Sequence, residues 1–128
     1  MKEQYTKDFL KKSEENYELF EYLHDKNIFI EWQAVAIFYS ALCIAKAYLY
    51  SKGIGINTIN SHKVIKNWLC TESVAKQKAV FIPYENLYRH SRNARYLTSK
   101  TINEDIISRM LKDYDIVKNA LKIDIEKL

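Results

Sequence analysis

The sequence contains few of the residues that make tight turns or cross-links: 128 residues include two glycines, one proline and two cysteines. Hairpin turns need residues that tolerate positive φ, so this scarcity argues against a sheet protein. No period-2 run is long enough to demand a strand, and no linker, repeat or low-complexity segment is present. The chain is therefore predicted to be one all-α domain, residues 1–128, long enough to bury its own core.

Signals for export, redox chemistry and membrane insertion are also lacking. Cys43 and Cys70 form no CxxC motif, which favours buried thiols in a reducing compartment over a metal or redox site. The charged N-terminus has no apolar core of a secretion signal. The most apolar run, Ala34–Tyr50, is shorter than the about 20 residues that span a bilayer, and it contains Lys46. We expect no membrane partner and a cytoplasmic location.

Apolar residues recur at helical spacing along most of the chain. Ser61 is a candidate N-cap, Gly53 a helix stop, and Thr101 with Glu104 a capping box for the last helix. Residues 71–82 are ambiguous between loop and helix. The predicted helices are about Thr6 to His24, about Ile30 to Lys52, a short one at His62–Cys70, Pro83 to about Leu97, and a last one after Thr101. Four long helices and one short helix predict an up-down bundle.

The second helix is apolar on both sides, and each side must be covered. One side can pack within its own domain, and the other can pack on the remaining helices or on a second copy of the chain. The second alternative predicts a homodimer.

Charge is unevenly distributed along the sequence. Residues 1–31 carry a net charge of −3, residues 32–102 carry +8, and residues 103–128 carry −1. The basic middle can favour an anionic partner, or it can pair with the acidic first helix across the fold.

The stretch YRHSRNARYL, residues 88–97, concentrates basic and aromatic side chains on one helix. At 100° per residue, one side of this helix should face the core and the other solvent. The predicted core side consists of Tyr84, Leu87, Ser91 and Ala94, and the opposite side of Glu85, Arg89, Arg92, Asn93 and Tyr96. Guanidinium groups beside a phenol suit phosphate and base contacts. The alternative is ion pairs with acids of the first helix, namely Glu14, Glu15, Glu18 and Glu21, and composition alone does not decide between them.

Known catalytic motifs are missing. The sequence has no Ser-His-Asp order, HExxH or P-loop, so hydrolases and nucleotide kinases have no support from motifs. His62 follows a candidate N-cap, and His90 lies among arginines whose positive charge would favour its neutral form.

Three segments in this order resemble the HEPN superfamily of small all-α proteins: WQAVAIFYSALCIAKAYLYSKGI, SHKVIKNWL and YENLYRHSRNARYL. The resemblance covers roughly residue 30 to the C-terminus. It implies a bundle of four or five helices, usually homodimeric, and many members cut RNA without a metal. Their motif is an Arg, often followed by Asn, with a His four to six residues beyond.

Arg92 and Asn93 match the first half of that motif, but Leu97, Thr98 and Ser99 occupy the positions where the histidine is expected. His90 points about 160° away around the helix, and His62 would have to approach from another helix. We therefore expect a module that binds RNA, a nucleotide or a protein partner without efficient cleavage.

The expected roles on this helix follow from side-chain chemistry. Arg89, Arg92 and Arg95 would hold phosphate, Asn93 would orient an arginine or contact a base, and Tyr96 would stack. The resemblance places such a module in a prokaryotic defence or toxin-antitoxin system, with no metal or cofactor. One alternative is a ribonuclease toxin that uses Arg92 with His62 or His90 shared across the dimer, and another is an adaptor for a nucleotidyltransferase or other protein.

Overall fold

The computed structural model describes residues 2–55, 59, 61–96 and 101–126. All regular structure in this part of the chain is helical, as the sequence predicts. Its helices are α1 (Lys2–Lys26), α2 (Ile30–Ser51), α3 (His62–Thr71), α4 (Ser73–Gln77), α5 (Phe81–Tyr96) and α6 (Glu104–Glu126). Four are long, and α4 is a five-residue helix that the sequence did not predict.

The long helices run alternately up and down. Tyr5 near the start of α1 packs on Tyr50 near the end of α2, so this pair is antiparallel. In α5 the side chain of Asn86 hydrogen-bonds Asp113 of α6. Four residues later in α5, His90 lies near Arg109, which is four residues earlier in α6, so this pair is also antiparallel. The predicted up-down bundle is therefore confirmed.

Helix α2 forms the centre of the bundle. It packs against α1, α5 and α6, and it also contacts α3. By length and hydropathy it could span a membrane, but 83% of its most apolar window is buried inside the bundle. The chain thus covers both sides of α2 with its own helices, which is one of the two alternatives that the sequence left open. The homodimer stays a prediction that needs another surface.

Several helix ends match the sequence analysis. The Ser61 hydroxyl caps α3 by accepting a hydrogen bond from the Val64 amide at 3.3 Å. Helix α2 ends before Gly53, whose φ of 87° is the left-handed conformation that glycine adopts without strain.

Other boundaries differ from the prediction. Helix α5 begins two residues before Pro83, which is tolerated because the amides of the first turn have no partner within the helix. The prediction of a capping box at Thr101 is wrong. Asn103 caps α6 instead, and its side-chain oxygen accepts a hydrogen bond from the Ile106 amide at 3.0 Å. Residue 97, the expected end of the helix predicted from Pro83, lies outside the described residues, as do residues 56–58 and 60 of the loop between α2 and α3.

Glu72 determines the path of residues 71–82. Its carboxylate accepts hydrogen bonds from the amides of Val74 and Ala75 at the start of α4, and another from the hydroxyl of Tyr48 on α2. After α4 the chain turns at Ala79, which has a positive φ of 54°, and enters α5. Only the last two residues of this segment, Phe81 and Ile82, belong to α5, and the rest is not a simple loop because it contains α4.

Candidate ligand-binding groove

Helix α5 presents its side chains largely as its periodicity predicts. Tyr84, Leu87 and Ser91 are fully buried, and Ala94 is half-buried. On the opposite side three side chains are exposed, while Glu85 and Asn93 are half-buried. The exposed side chains are Arg89, Arg92 and Tyr96.

The alternative of ion pairs between α5 and α1 is wrong. Within the described residues, no salt bridge involves an arginine. The reason is topological, because α1 packs mainly on α2 and its acids face α6 instead. Glu14, Glu18 and Glu21 line a cleft of about 220 Å³ together with Lys118 and Lys122 of α6. Arg92 and Arg95 thus form no ion pair with a carboxylate in the described part of the chain, whereas Arg89 is close enough to Asp113 of α6 to favour the charged form of that carboxyl.

A groove of about 300 Å³ lies where α2, α3 and α5 meet, and we call it the cationic groove. Its lining comprises Phe38, Tyr39, Leu42 and Lys46 of α2, Ser61, His62 and Ile65 at the start of α3, and Tyr88, Arg95 and Tyr96 of α5. This lining includes two cations and several aromatic rings but no carboxylate. Its volume is at the lower end of the range for small-molecule sites.

Arg95 is held at one wall of this groove by aromatic rings. Its guanidinium lies 5.7 Å from the ring centre of Tyr39 and 5.0 Å from that of Tyr96, both within the range of cation–π attraction. One terminal nitrogen donates to the Tyr39 hydroxyl at 3.3 Å, and Nε donates to the carbonyl of Ser91 at 3.4 Å. The guanidinium is therefore oriented, half-buried and not neutralised by a carboxylate in the described structure.

His62 packs at the back of the groove against α5. Its ring stacks on Tyr88, with ring centres 3.4 Å apart and planes inclined by 10°. Nε2 lies 3.5 Å from a carboxylate oxygen of Glu85, and Nδ1 lies 3.4 Å from the hydroxyl of Tyr84. Glu85 also meets Lys66 at 3.5 Å.

The environment of His62 favours its neutral form. Burial lowers the pKa of His62, the carboxylate of Glu85 opposes that effect, and the positive charges of Lys66 and Arg95 lower the pKa further. Neutral imidazole is the form that a general base needs. However, both ring nitrogens face groups of the same chain, so neither is directed to a substrate in this arrangement.

The residues proposed as catalytic from the sequence occupy different places. Arg92 is exposed and does not line the cationic groove, whereas His62 does. Arg95, one of the three arginines expected to hold phosphate, is the arginine that shares the groove with His62. The pKa of His90 is lowered mainly by its burial and secondarily by Arg89 and Arg109. The direction agrees with the prediction, which rested on the smaller of these two causes.

Sequence reasoning missed the wall that α2 contributes. Tyr39 and Lys46 are seven residues apart, which puts them on the same face of a helix, but they stand inside an apolar run that indicates a core helix. Only the neighbouring α3 and α5 turn that face into a groove.

Comparisons with known proteins do not assign the chain to a family: no family model matches it, and no curated protein is significantly similar to it. Within the described residues, no three His, Cys, Asp or Glu side chains group as a metal site would require.

Proposed function

We propose that this protein binds a phosphate-bearing ligand, either RNA or a nucleotide, in the cationic groove without cutting it. The observation that carries the proposal is the arginine without a carboxylate partner, Arg95, fixed between Tyr39 and Tyr96. A guanidinium in this setting can donate forked hydrogen bonds to phosphate oxygens.

Lys46 supplies a second positive charge to the same groove, and the rings around Arg95 offer planes on which a base can stack. Glu85, an acid that contacts the groove residue His62, is also engaged with Lys66. Charge and shape therefore both favour an anionic ligand with an aromatic part.

Binding is favoured over cleavage by the surroundings of His62. To act as a base toward a ribose hydroxyl, His62 would have to turn one ring nitrogen away from Glu85 or Tyr84 and leave its stack on Tyr88.

A ribonuclease with Arg95 and His62 as the functional pair is the second candidate, since both line one groove. It differs from the pair expected from the sequence, Arg92 and His62. The classification as a HEPN-like module of a defence or toxin-antitoxin system rests on the resemblance of sequence segments alone, and the expected cytoplasmic location rests on the sequence's lack of export and membrane signals.

The test is the affinity of the protein for a fluorescently labelled single-stranded RNA, measured by anisotropy at several salt concentrations. Arg95→Gln should weaken binding about tenfold, as expected for one charge-assisted hydrogen bond. It should also reduce the slope of log affinity against log salt by about 0.7, the value for one phosphate contact on a single strand. Arg109→Gln is the matched control, because Arg109 is an exposed arginine of α6 outside the groove.

Three other results would contradict the proposal. Equal losses in Arg95→Gln and Arg109→Gln would mean that RNA responds only to overall charge. Cleavage of the RNA that disappears in His62→Asn and Arg95→Gln would establish the ribonuclease instead. If the protein binds neither RNA nor mononucleotides, the adaptor role becomes the better explanation, and it predicts a stable complex with another protein.

A further inference from the structure

A second groove adjoins the cationic groove. It has a volume of about 280 Å³, and its lining comes from the start of α2 and the end of α5. Arg95 and Tyr96 line both grooves, so the two cavities meet at these side chains. We call the second cavity the aromatic groove. Its lining comprises Glu31, Trp32 and Val35 of α2 and Ala94, Arg95 and Tyr96 of α5.

Two large aromatic side chains of the aromatic groove are exposed to solvent. Trp32 is 60% exposed and Tyr96 is 67% exposed, so packing within the chain does not account for either ring. Every nucleobase has a flat face that stacks on an aromatic ring, and proteins bind unpaired bases of RNA in this way. Trp32 and Tyr96 thus offer stacking surfaces from two helices of the same groove.

Glu31 gives the aromatic groove a negative charge. Its side chain is exposed and forms no salt bridge within the described residues, although Arg95 lines the same groove. A carboxylate repels phosphate, and it only accepts hydrogen bonds. The cationic groove is therefore the place for a phosphate, and the aromatic groove is the place for a flat group that donates hydrogen bonds.

The start of α2 is held in place by Gln33. The fully buried side chain of Gln33 donates to the carbonyl of Ile28 at 3.0 Å and to that of Leu23 at 3.4 Å, which ties the turn before α2 to the end of α1. Glu31 and Trp32 lie in the first turn of α2. They are thus presented from a fixed backbone, which reduces the entropy lost when a ligand binds.

The bases of RNA differ in what their base-pairing edges donate. Guanine has two adjacent donors there, the N1–H and the 2-amino group, and they match the two oxygens of one carboxylate. Adenine and cytosine offer one amino group, and uracil offers one N–H. Paired hydrogen bonds to a charged group add both strength and geometric specificity. Glu31 therefore favours guanine among the four bases.

We propose that the aromatic groove is a guanine-binding subsite in which the base stacks on Trp32 and Tyr96 and donates two hydrogen bonds to the carboxylate of Glu31. Arg95, which lines both grooves, then holds the phosphate of the same nucleotide. The subsite rests on the binding of a phosphate-bearing ligand proposed above, and it specifies the base of that ligand. A free guanine nucleotide and a guanosine within single-stranded RNA present the same base edge and phosphate.

A change of one base in a short labelled RNA tests this selectivity. Three uridine oligomers, each with a central guanosine, inosine or adenosine, are compared by fluorescence anisotropy. The guanosine oligomer should bind about tenfold more tightly than the adenosine oligomer, because adenine has an acceptor at N1 that would face the carboxylate. Inosine keeps the N1–H but lacks the 2-amino group, so its affinity should lie between the two.

Free nucleotides distinguish the two sources of the ligand. GMP, IMP and AMP are compared by calorimetry in the same way as the oligomers. The same order of affinity among free nucleotides would identify a nucleotide site. The same order in RNA alone would identify a site for a guanosine within RNA.

Glu31→Gln tests the residue assigned to the base edge. The guanosine oligomer should lose about tenfold in affinity, so that it no longer exceeds the adenosine oligomer. Glu104→Gln is the matched control, because Glu104 is an exposed acid in the first turn of α6 and lines neither groove. It removes a favourable charge from a helix N-terminus, as Glu31→Gln does, without changing the groove. Trp32→Ala should weaken all three oligomers about tenfold, since stacking tolerates any base.

Three results would overturn the guanine subsite. Equal affinity for all three oligomers would leave the phosphate-binding function standing without a site for a particular base. A preference for guanosine that survives in Glu31→Gln, with only the melting temperature lowered, would mean that Glu31 serves the stability of α2 alone. If no oligomer or nucleotide binds, both the subsite and the function on which it rests are wrong.

Discussion

His62 shows how neighbours determine the behaviour of a single side chain. Burial is the main cause of its lowered pKa, and Glu85 only partly offsets it. A histidine whose pKa is lower in the folded chain binds fewer protons there than in the unfolded chain. Its contribution to the free energy of unfolding therefore falls as the pH is lowered from about 6.5, the ordinary histidine value.

We predict that His62→Asn will flatten this pH dependence. Chemical denaturation at several pH values between about 5 and 7 should show the wild-type free energy of unfolding decreasing toward low pH more steeply than that of the variant. His90→Asn is the companion variant, since burial also lowers the pKa of His90 and its removal should flatten the curve as well. An unchanged slope in His62→Asn would show that His62 is as accessible to protons in the folded chain as in the unfolded chain.

Single residues also show what the sequence could and could not predict. The Ser61 cap and the burial of Tyr84 and Leu87 follow from local rules of capping and periodicity, and both were predicted correctly. The partners of His62 could not be predicted, because they lie on α5 and depend on how α3 packs against it. Arg95 was expected among the arginines that hold phosphate, but its place in the groove could not be predicted, because that place depends on Tyr39 of α2.

At the level of elements, periodicity finds long helices and fails for α4. Five residues make little more than one turn, which is too short for an apolar pattern to emerge. What stabilises α4 is a non-local arrangement, in which the Glu72 carboxylate binds two amides of α4 and the hydroxyl of Tyr48. The same carboxylate contributes to a raised pKa of the Tyr48 phenol, of which burial is the larger cause.

We predict that Glu72→Ala will lower the free energy of unfolding by about 1–3 kcal/mol, because it removes a cap and leaves buried polar groups without partners. Urea denaturation measures this value. In a double-mutant cycle with Tyr48→Phe, the two losses should be less than additive, since both variants break the same hydrogen bond. Glu126→Ala, at an exposed position in α6, should change stability by less than about 0.5 kcal/mol. Fully additive losses would mean that the cap of α4 and the hydrogen bond to Tyr48 of α2 stabilise the chain independently of each other.

At the scale of the whole molecule, a buried hydroxyl cluster joins three of the long helices. The Ser40 hydroxyl on α2 lies 2.8 Å from the hydroxyl of Tyr114 on α6 and 2.9 Å from that of Ser13 on α1, and it donates to the carbonyl of Ser13 at 2.8 Å. Such contacts are directional, whereas the apolar core around them is not. The cluster should therefore set the alignment of α1 and α6 along α2.

We predict that Ser40→Ala will destabilise the bundle more than Tyr114→Phe does. Ser40 is the centre of the cluster, so its loss leaves the buried hydroxyls of Ser13 and Tyr114 without this partner, at a cost of about 1–3 kcal/mol. Tyr114→Phe removes one outer hydroxyl and should cost about 0.5–1.5 kcal/mol. Urea denaturation compares both with Ser108→Ala, an exposed serine of α6 whose loss should matter by less than about 0.5 kcal/mol. If Ser40→Ala costs no more than Ser108→Ala, apolar packing alone aligns the helices and the cluster is incidental to the fold.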